Sequence, residues 1–214
     1  MDAAEQRDKD LVRDSYDQIY ARYEAWDDEA IDNVRQQALE RALSLIPTRS
    51  HALDLGCGPG RKTSRLLATS FEHLTAVDIS PRSIAAARAH LPHAELLVAD
   101  MTTVELPSAT FDLVTAFFSI IHVPAGEQPA LFTRIAGWLV PDGVLVCNLG
   151  ASAGDQREDF LGAPMFWSAL TPAESVAAVE RAGLDVLHHE IDERTEHGVA
   201  VRFLWITARR PAAT

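Results

Sequence analysis

The sequence predicts an α/β protein: a doubly wound, seven-stranded, mostly parallel sheet with an antiparallel C-terminal hairpin strand, preceded by two helices. Three observations predict it. Short apolar runs alternate with helical patterns from residue 51 to residue 150, the mark of βαβ units and a parallel sheet buried on both faces. The first run, "HALDLG", stops at a glycine and opens a glycine-rich loop, as happens at the ligand-binding end of such sheets. The last two runs, "LDVLHHEID" and "VAVRFLWITAR", have only "ERTEHG" between them. No helix fits there, so these two strands run antiparallel. Six parallel strands and one antiparallel last strand are expected.

The elements follow in order. "LVRDSYDQIYARYEAW" places Val12, Tyr16, Ile19, Tyr20 and Tyr23 at helical spacing. A second helix, from about Ile31 to Ile46, carries Val34, Ala38, Ala42 and Leu45 on one face, and Pro47 ends it. "KTSRLLATS" reads as a helix, "LTAVDIS" as a strand, and "PRSIAAARAH" as a helix begun by proline. "AELLVAD" and "FDLVTAFFSI" read as strands, the second long and apolar. "EQPALFTRIAGWL" is a helix, "PDG" a turn and "VLVCNLG" a strand. "REDFLGAPMFWSAL" is aromatic and broken by glycine. Thr171, Pro172 and Glu174 form a capping box, and its helix stops at Gly183.

The 214 residues are enough for one domain with a sizeable core. The net charge of −12 argues against a nucleic-acid partner. Residues 1–40 hold twelve Asp and Glu against five Lys and Arg. Cys57 and Cys147 sit in apolar strand-end contexts and read as buried thiols of a cytoplasmic protein. The opening "MDAAEQRDKD" has no apolar core of a signal peptide. No apolar run approaches the roughly 20 residues that span a bilayer, so no membrane partner is expected. No histidines and acids stand at metal-ligand spacing, so no metal is expected either. A homodimer is left open.

The loop "LDLGCGPGRKT" fits neither familiar phosphate loop. Gly60 comes one residue early for G-x-G-x-x-G, and Arg61 separates Gly60 from Lys62 and Thr63. Gly56, Gly58 and Gly60 let the backbone turn tightly and approach a ligand. Asp54, just before them, would repel a pyrophosphate and attract an amine. An amino acid, with its carboxylate near the next helix start, fits better. Asp78 lies 22 residues past Gly56, where a carboxylate accepts both hydroxyls of a ribose. Asp100 lies 22 residues further and can accept an exocyclic amine such as that of adenine. Ile79 and Met101 are apolar neighbours able to sandwich a flat base. Amino acid, ribose and adenine in that order describe S-adenosylmethionine.

"LDLGCGPG", "AVDIS", "VADM", "FDLVTAFFSIIHV" and "LVPDGVLVCNLG" together resemble the successive motifs of the Rossmann-like S-adenosylmethionine-dependent methyltransferases, in the small-molecule branch similar to the ubiquinone and menaquinone-biosynthesis enzymes. The resemblance runs from about Tyr16 to the C-terminus. It implies that Gly56, Gly58 and Gly60 line the methionine, that Asp78 holds the ribose, and that Asp100 and Met101 read the adenine. It implies the Phe117 backbone near the methionine amino group. "YDQIYARY" resembles the family's lid, with Tyr16 and Tyr23 at its tyrosine positions and Tyr20 where an alanine is usual, facing substrate. On this reading residues 1–48 form a helical lid and 49–214 the methyltransferase core, with a substrate-covering segment near 151–170. Phe118, Phe166 and Trp167 are the expected substrate contacts, with Phe160 and Met165 beside them.

His122, after the fourth core strand, is the candidate general base, with Tyr20 beside it as a second catalytic candidate. His197 is placed in the hairpin turn. The methyl on a sulfonium is already electrophilic, so alignment and exclusion of water are the main requirements. The rival readings are a dinucleotide-dependent oxidoreductase, a methyltransferase of protein or RNA, and a non-catalytic cofactor-binding homologue. The glycine spacing and Asp54 oppose the first. "AFFS" after the fourth core strand, where enzymes that methylate planar amino groups resemble D/N-P-P-Y, opposes the second.

Overall fold

A computed structural model describes residues 3–25, 29–196 and 199–212. Its main sheet contains β1 (His51–Leu55), β2 (His73–Asp78), β3 (Glu95–Val98), β4 (Phe111–Ala116), β5 (Leu139–Gly150), β8 (Asp185–Glu196) and β9 (Val199–Arg209). A separate hairpin is made of β6 (Gly154–Phe160) and β7 (Ala163–Ala169). The sheet order is β3-β2-β1-β4-β5-β9-β8. The first five strands pair in parallel, and β9 runs antiparallel to both β5 and β8. The expected sheet is therefore present, antiparallel strand included. The turn between β8 and β9, with His197, lies outside the described residues.

The helices are α1 (Ala3–Ala25), α2 (Glu29–Ser44), α3 (Thr63–Ser70), α4 (Pro81–His90), α5 (Gln128–Trp138) and α6 (Pro172–Arg181). Local chemistry sets their ends. Ser80 caps α4 by accepting the Ser83 N–H at 2.9 Å, with Pro81 in the first turn. Thr171 and Glu174 close a reciprocal capping box at α6, and Gly183 follows at φ 88°. One face of the sheet buries Leu55, Val114, Phe132 and Leu145. The other buries Leu39, Leu67, Leu113 and Trp205. A third cluster joins Val12 and Ile19 of α1 to Met165 and Phe166 of β7.

The structure corrects three expectations. First, α1 begins at Ala3, two turns ahead of the apolar pattern, and its added N-terminal part carries Lys9, which is buried against distant acids that sequence spacing does not reveal. Second, the strand expected over Phe111–Ile120 ends at Ala116. Phe118 turns to φ 53°, its N–H donates to Asn148 Oδ1 at 2.7 Å, and a short 3-10 turn covers Ile120–His122. Third, the glycine-broken segment is the β6–β7 hairpin, turned at Leu161 (φ 54°) and Gly162 (φ 82°). Two consecutive positive φ values make the tight turn that matches strand twist. β6 is polar and exposed, so it carries no periodic signal; pairing with β7, which packs on α1, holds it. Of the two N-terminal helices, α2 packs into the sheet core and α1 packs with the β6–β7 hairpin.

Candidate functional site

The carboxyl ends of β1, β2, β3 and β4 converge where the strand order reverses between β1 and β4, the usual ligand crevice of open α/β sheets. The loop after β1 is held by the Gly56 and Cys57 N–H groups, which both donate to the Val77 carbonyl at 2.7 and 3.1 Å. Gly56, Gly58 and Gly60 have φ of 77°, 54° and 73°, the left-handed region that glycine tolerates. Their surroundings differ. A Cβ on Gly56 would lie 2.2 Å from Ser119 Cβ, and one on Gly60 would lie 2.6 Å from Leu91 Cδ1. A Cβ on Gly58 would meet nothing within 4 Å. Gly56 and Gly60 allow close packing, whereas Gly58 borders open space.

Two adjoining hollows open there, with about 740 Å³ and 1340 Å³ of empty space, part of it continuous with solvent. The inner one is walled by Asp78, Ile79, Asp100, Met101 and Lys9. The outer one is walled by Arg35, Asp54, Lys62, Phe160 and Trp167. Tyr16, Tyr23, Gly56, Gly58, Phe117, Phe118 and His122 line both. α1 lays Tyr16 and Tyr23 over the strand tips, edge to face at 5.3 Å.

Three carboxylates stand at three strand tips, each differently held. Asp78 accepts the Gly58 N–H at 2.8 Å and the Ser80 N–H at 2.9 Å. Burial raises its pKa to about 6, against the pull of those two N–H groups and with some help from the Asp54 and Asp17 charges. Asp54 is buried and accepts the Ser64 and Thr115 hydroxyls at 2.5 and 2.7 Å; burial raises its pKa too. Asp100 accepts the Thr102 N–H and hydroxyl on Oδ1, both at 2.8 Å, and pairs through Oδ2 with Lys9 Nζ at 2.8 Å. Lys9 also reaches Glu127 at 2.9 Å and Thr102 Oγ1 at 3.1 Å, and is 3% exposed. Burial alone would lower its pKa, but the bonds to Asp100 and Glu127 outweigh that and raise it. Removing one partner of a buried ion pair strands the other. Lys9→Met is therefore expected to cost about 2 to 3 kcal/mol, read as a lower midpoint in urea unfolding. An unchanged midpoint would mean that solvent takes over the role of the ammonium.

The histidine beside Tyr16 is locked. His122 Nδ1 lies 2.6 Å from the Phe166 carbonyl oxygen, which can only accept, so Nδ1 carries the proton. Nε2 then has the free lone pair, and it accepts the Tyr16 hydroxyl at 2.9 Å. Burial lowers the His122 pKa to about 4 and raises that of Tyr16 well above its ordinary value. The pair is neutral at physiological pH. The Nε2 lone pair of His122 is engaged by the Tyr16 hydroxyl in this structure. The two hydrogen bonds of the imidazole link Tyr16 of α1 to the Phe166 carbonyl of β7.

Residues 52–143 match a family described as "Methyltransferase domain". The trans-aconitate 2-methyltransferase of Delftia acidovorans is 30% identical over 213 aligned residues, which cover 84% of this chain and 77% of that protein. The chain belongs to the class I S-adenosylmethionine-dependent methyltransferases. A second methyltransferase with the same name, from Variovorax paradoxus, is 35% identical over 66% of this chain and 50% of its own length. In fold, the chain is similar to the Burkholderia thailandensis 1,6-didemethyltoxoflavin-N1-methyltransferase, solved with 1,6-didemethyltoxoflavin and S-adenosylhomocysteine. The TM-score is 0.75 at 20% identity, covering 99% of this chain and 92% of that one. This methyltransferase uses S-adenosylmethionine.

In this methyltransferase the structure brings Tyr16, Tyr23, Asp54, Gly56, Gly58, Asp78, Ile79, Asp100, Met101, Phe117, Phe118, His122 and Trp167 to the two hollows. It leaves three of the expected residues outside their lining. The Tyr20 hydroxyl donates to Glu24 at 2.8 Å and its ring lies under the Arg82 guanidinium at 4.8 Å. Tyr20 thus turns toward α4, outside the lining of both hollows. The Phe166 ring is fully buried in the cluster between α1 and β7, under Arg157; only its carbonyl reaches the site, through His122. Gly60 packs on α4. Cys57, read as buried, is half-buried at the outer hollow, whereas Cys147 is fully buried. Lys9, Arg35 and Phe203 escaped the sequence reading. Lys9 and Arg35 lie on N-terminal helices and Phe203 on the last strand, so none shares a motif with the glycine loop.

Proposed function

We propose that the inner hollow takes the adenosine of S-adenosylmethionine and that the outer hollow takes its methionine and, beyond the methyl group, the acceptor. The observation that carries this is Asp78. It sits at the β2 tip, anchored by two N–H groups and facing the inner hollow beside a glycine with open space before it. A carboxylate there retains lone pairs for two ribose hydroxyls. Asp100 uses three of its roughly four acceptor positions on Thr102 and Lys9. That leaves one for the adenine amine, with Ile79 and Met101 lining the same hollow. Asp54 suits the methionine ammonium and Arg35, close enough for its charge to act on Asp54, suits the carboxylate.

The donor supplies an activated methyl group. The chain's own residues bind it, orient it and keep water out. Tyr16, Tyr23 and His122 form the wall common to both hollows, so they border the line along which acceptor and methyl must meet. Two free cysteines, one fully buried, suit a reducing cytoplasm. The direct test is thermal unfolding with S-adenosylhomocysteine, S-adenosylmethionine or NADH added separately. A ligand at about 100 times its Kd stabilises by roughly 2.7 kcal/mol, several degrees for a chain of this size. The first two are expected to shift the transition and NADH is not. A shift with NADH alone would overturn the placement.

A further inference from the structure

We propose that Lys9 is a positioning residue for recognition of the cofactor's base. It crosses from α1 to the β3 tip, sets the Asp100 carboxylate for the adenine amine, and so makes base recognition and the seating of α1 one event. This rests on the placement of the cofactor above and goes beyond it. Three observations carry it.

The first is a closed triangle of bonds. Lys9 Nζ donates to Asp100 Oδ2 at 2.8 Å and to Thr102 Oγ1 at 3.1 Å, and Thr102 Oγ1 donates to Asp100 Oδ1 at 2.8 Å. An ammonium can only donate. Its bond to Thr102 Oγ1 therefore leaves the hydroxyl proton directed at Asp100. The Thr102 N–H also donates to Oδ1, at 2.8 Å. Both carboxylate oxygens are thus held, one by α1 and one by the loop after β3, and the plane of the carboxylate is fixed. The acceptor capacity that remains is offered at a set angle to the hollow that Asp100 lines.

The second is location. Lys9 is 3% exposed and lines the inner hollow with Val12, Tyr16 and Tyr23 of the same helix. The charged side chains lining that hollow, among the described residues, are Lys9, Asp78 and Asp100. The two carboxylates are held by different means. Asp78 takes backbone N–H groups from its own end of the sheet. Asp100 takes a side chain brought in by α1.

The third is Glu127, the residue before α5. Its Oε2 accepts Lys9 Nζ at 2.9 Å. The ammonium therefore bridges the Asp100 loop and the start of α5. A shift of α1 would break both buried ion pairs at once and strand their charges.

A carboxylate only accepts. Held in this way, it matches the N–H donors of an adenine amine and opposes the carbonyl oxygen that hypoxanthine carries at the same ring position. The coupling is reciprocal: the factor by which a seated Lys9 favours the amine is the factor by which the amine favours the seating of Lys9.

The test is calorimetric titration of the full chain with S-adenosylhomocysteine and with S-inosylhomocysteine, which carries oxygen in place of the amine. Wild type, Lys9→Met and Glu127→Gln are compared. Wild type should prefer the adenosyl ligand by about 30-fold, the loss expected for one hydrogen bond to a charged group. Lys9→Met should narrow that preference to about 3-fold, because the carboxylate is no longer held. Glu127→Gln loosens the same anchor without touching Asp100, and should keep the preference within about 2-fold of wild type. A merely structural Lys9 would lower stability in both variants and leave the preference alone. Hydrogen exchange of the wild type decides the matter should Lys9→Met fail to fold. At saturation the adenosyl ligand should slow the amides of residues 7–13 about 10-fold more than the inosyl ligand does. An unchanged preference in Lys9→Met, equal narrowing in both variants, or equal protection of α1 by both ligands would overturn the proposal and leave the cofactor placement intact. A wild type that binds both ligands equally would instead remove the adenine from Asp100, bringing down that part of the placement and the proposal with it.

Discussion

Asp78→Ala is expected to abolish the stabilisation by S-adenosylhomocysteine and to weaken its binding by about 100-fold or more. The deleted carboxylate would accept two ribose hydroxyls, and hydrogen bonds to a charged group contribute roughly 1.5 to 3 kcal/mol each. The same group makes binding depend on pH. Its pKa is raised from the ordinary 3.8 to about 6, chiefly by burial. The ionised form is the one that accepts both hydroxyls, so affinity should fall about 10-fold per unit once pH drops below that pKa. The sign for folding is the reverse. The folded chain holds this proton more tightly than the unfolded chain does, so the group's stabilising contribution is complete below the unfolded value and lost as pH rises through about 6. Calorimetric titration of wild type and variant between pH 5 and 8 checks both. A variant that still binds with wild-type affinity would remove Asp78 from the cofactor site.

Gly56→Ala and Gly58→Ala are expected to fail in different ways, though both glycines have positive φ. At Gly56 the new Cβ would lie 2.2 Å from Ser119 Cβ, whose hydroxyl is itself bonded to the Leu55 carbonyl at 2.7 Å. Backbone strain and overpacking add there, at about 1 to 3 kcal/mol each. A loss of roughly 3 to 5 kcal/mol removes a large part of a typical domain's stability. It would show as a transition lowered by about 10 °C or as insoluble protein. At Gly58 the Cβ enters open space, so only the strain remains, about 1 kcal/mol. The methyl group would instead occupy the ligand's approach, and affinity for S-adenosylhomocysteine should fall by at least about 10-fold. Should the Gly58 variant bind normally while unfolding like the Gly56 variant, the loop would be a packing device and nothing more.

The α4 start at Pro81 and the α6 capping box were legible because caps are local: Ser80 meets Ser83, and Thr171 meets Glu174, within a single turn. Asp78 and Asp100 were legible as strand-tip residues because each directly ends an apolar run, and Asp54 because it stands one residue before the end of β1 and the glycine loop. The β6 strand was not legible, since its exposed polar residues depend on a partner strand. Nor was the fate of Tyr20. It shares a helical pattern with Tyr16 and Tyr23, but only the packing of α1 against α4 decides that its hydroxyl meets Glu24 and its ring meets Arg82.

The sheet, its antiparallel last strand, the glycine loop and the three acidic positions near the strand tips are all written in local sequence. These follow from hydrophobic period, turn chemistry and spacing along the chain, all of which act over a few residues. Tertiary structure alone decided that Lys9 clamps Asp100 and Glu127, that His122 is locked between Tyr16 and the Phe166 carbonyl, and that Arg35, Arg61 and Phe203 face one hollow. Those contacts join residues far apart in the chain. Their energies depend on burial and on which partner fills each lone pair, and neither quantity exists until the strands, α1 and the hairpin have packed.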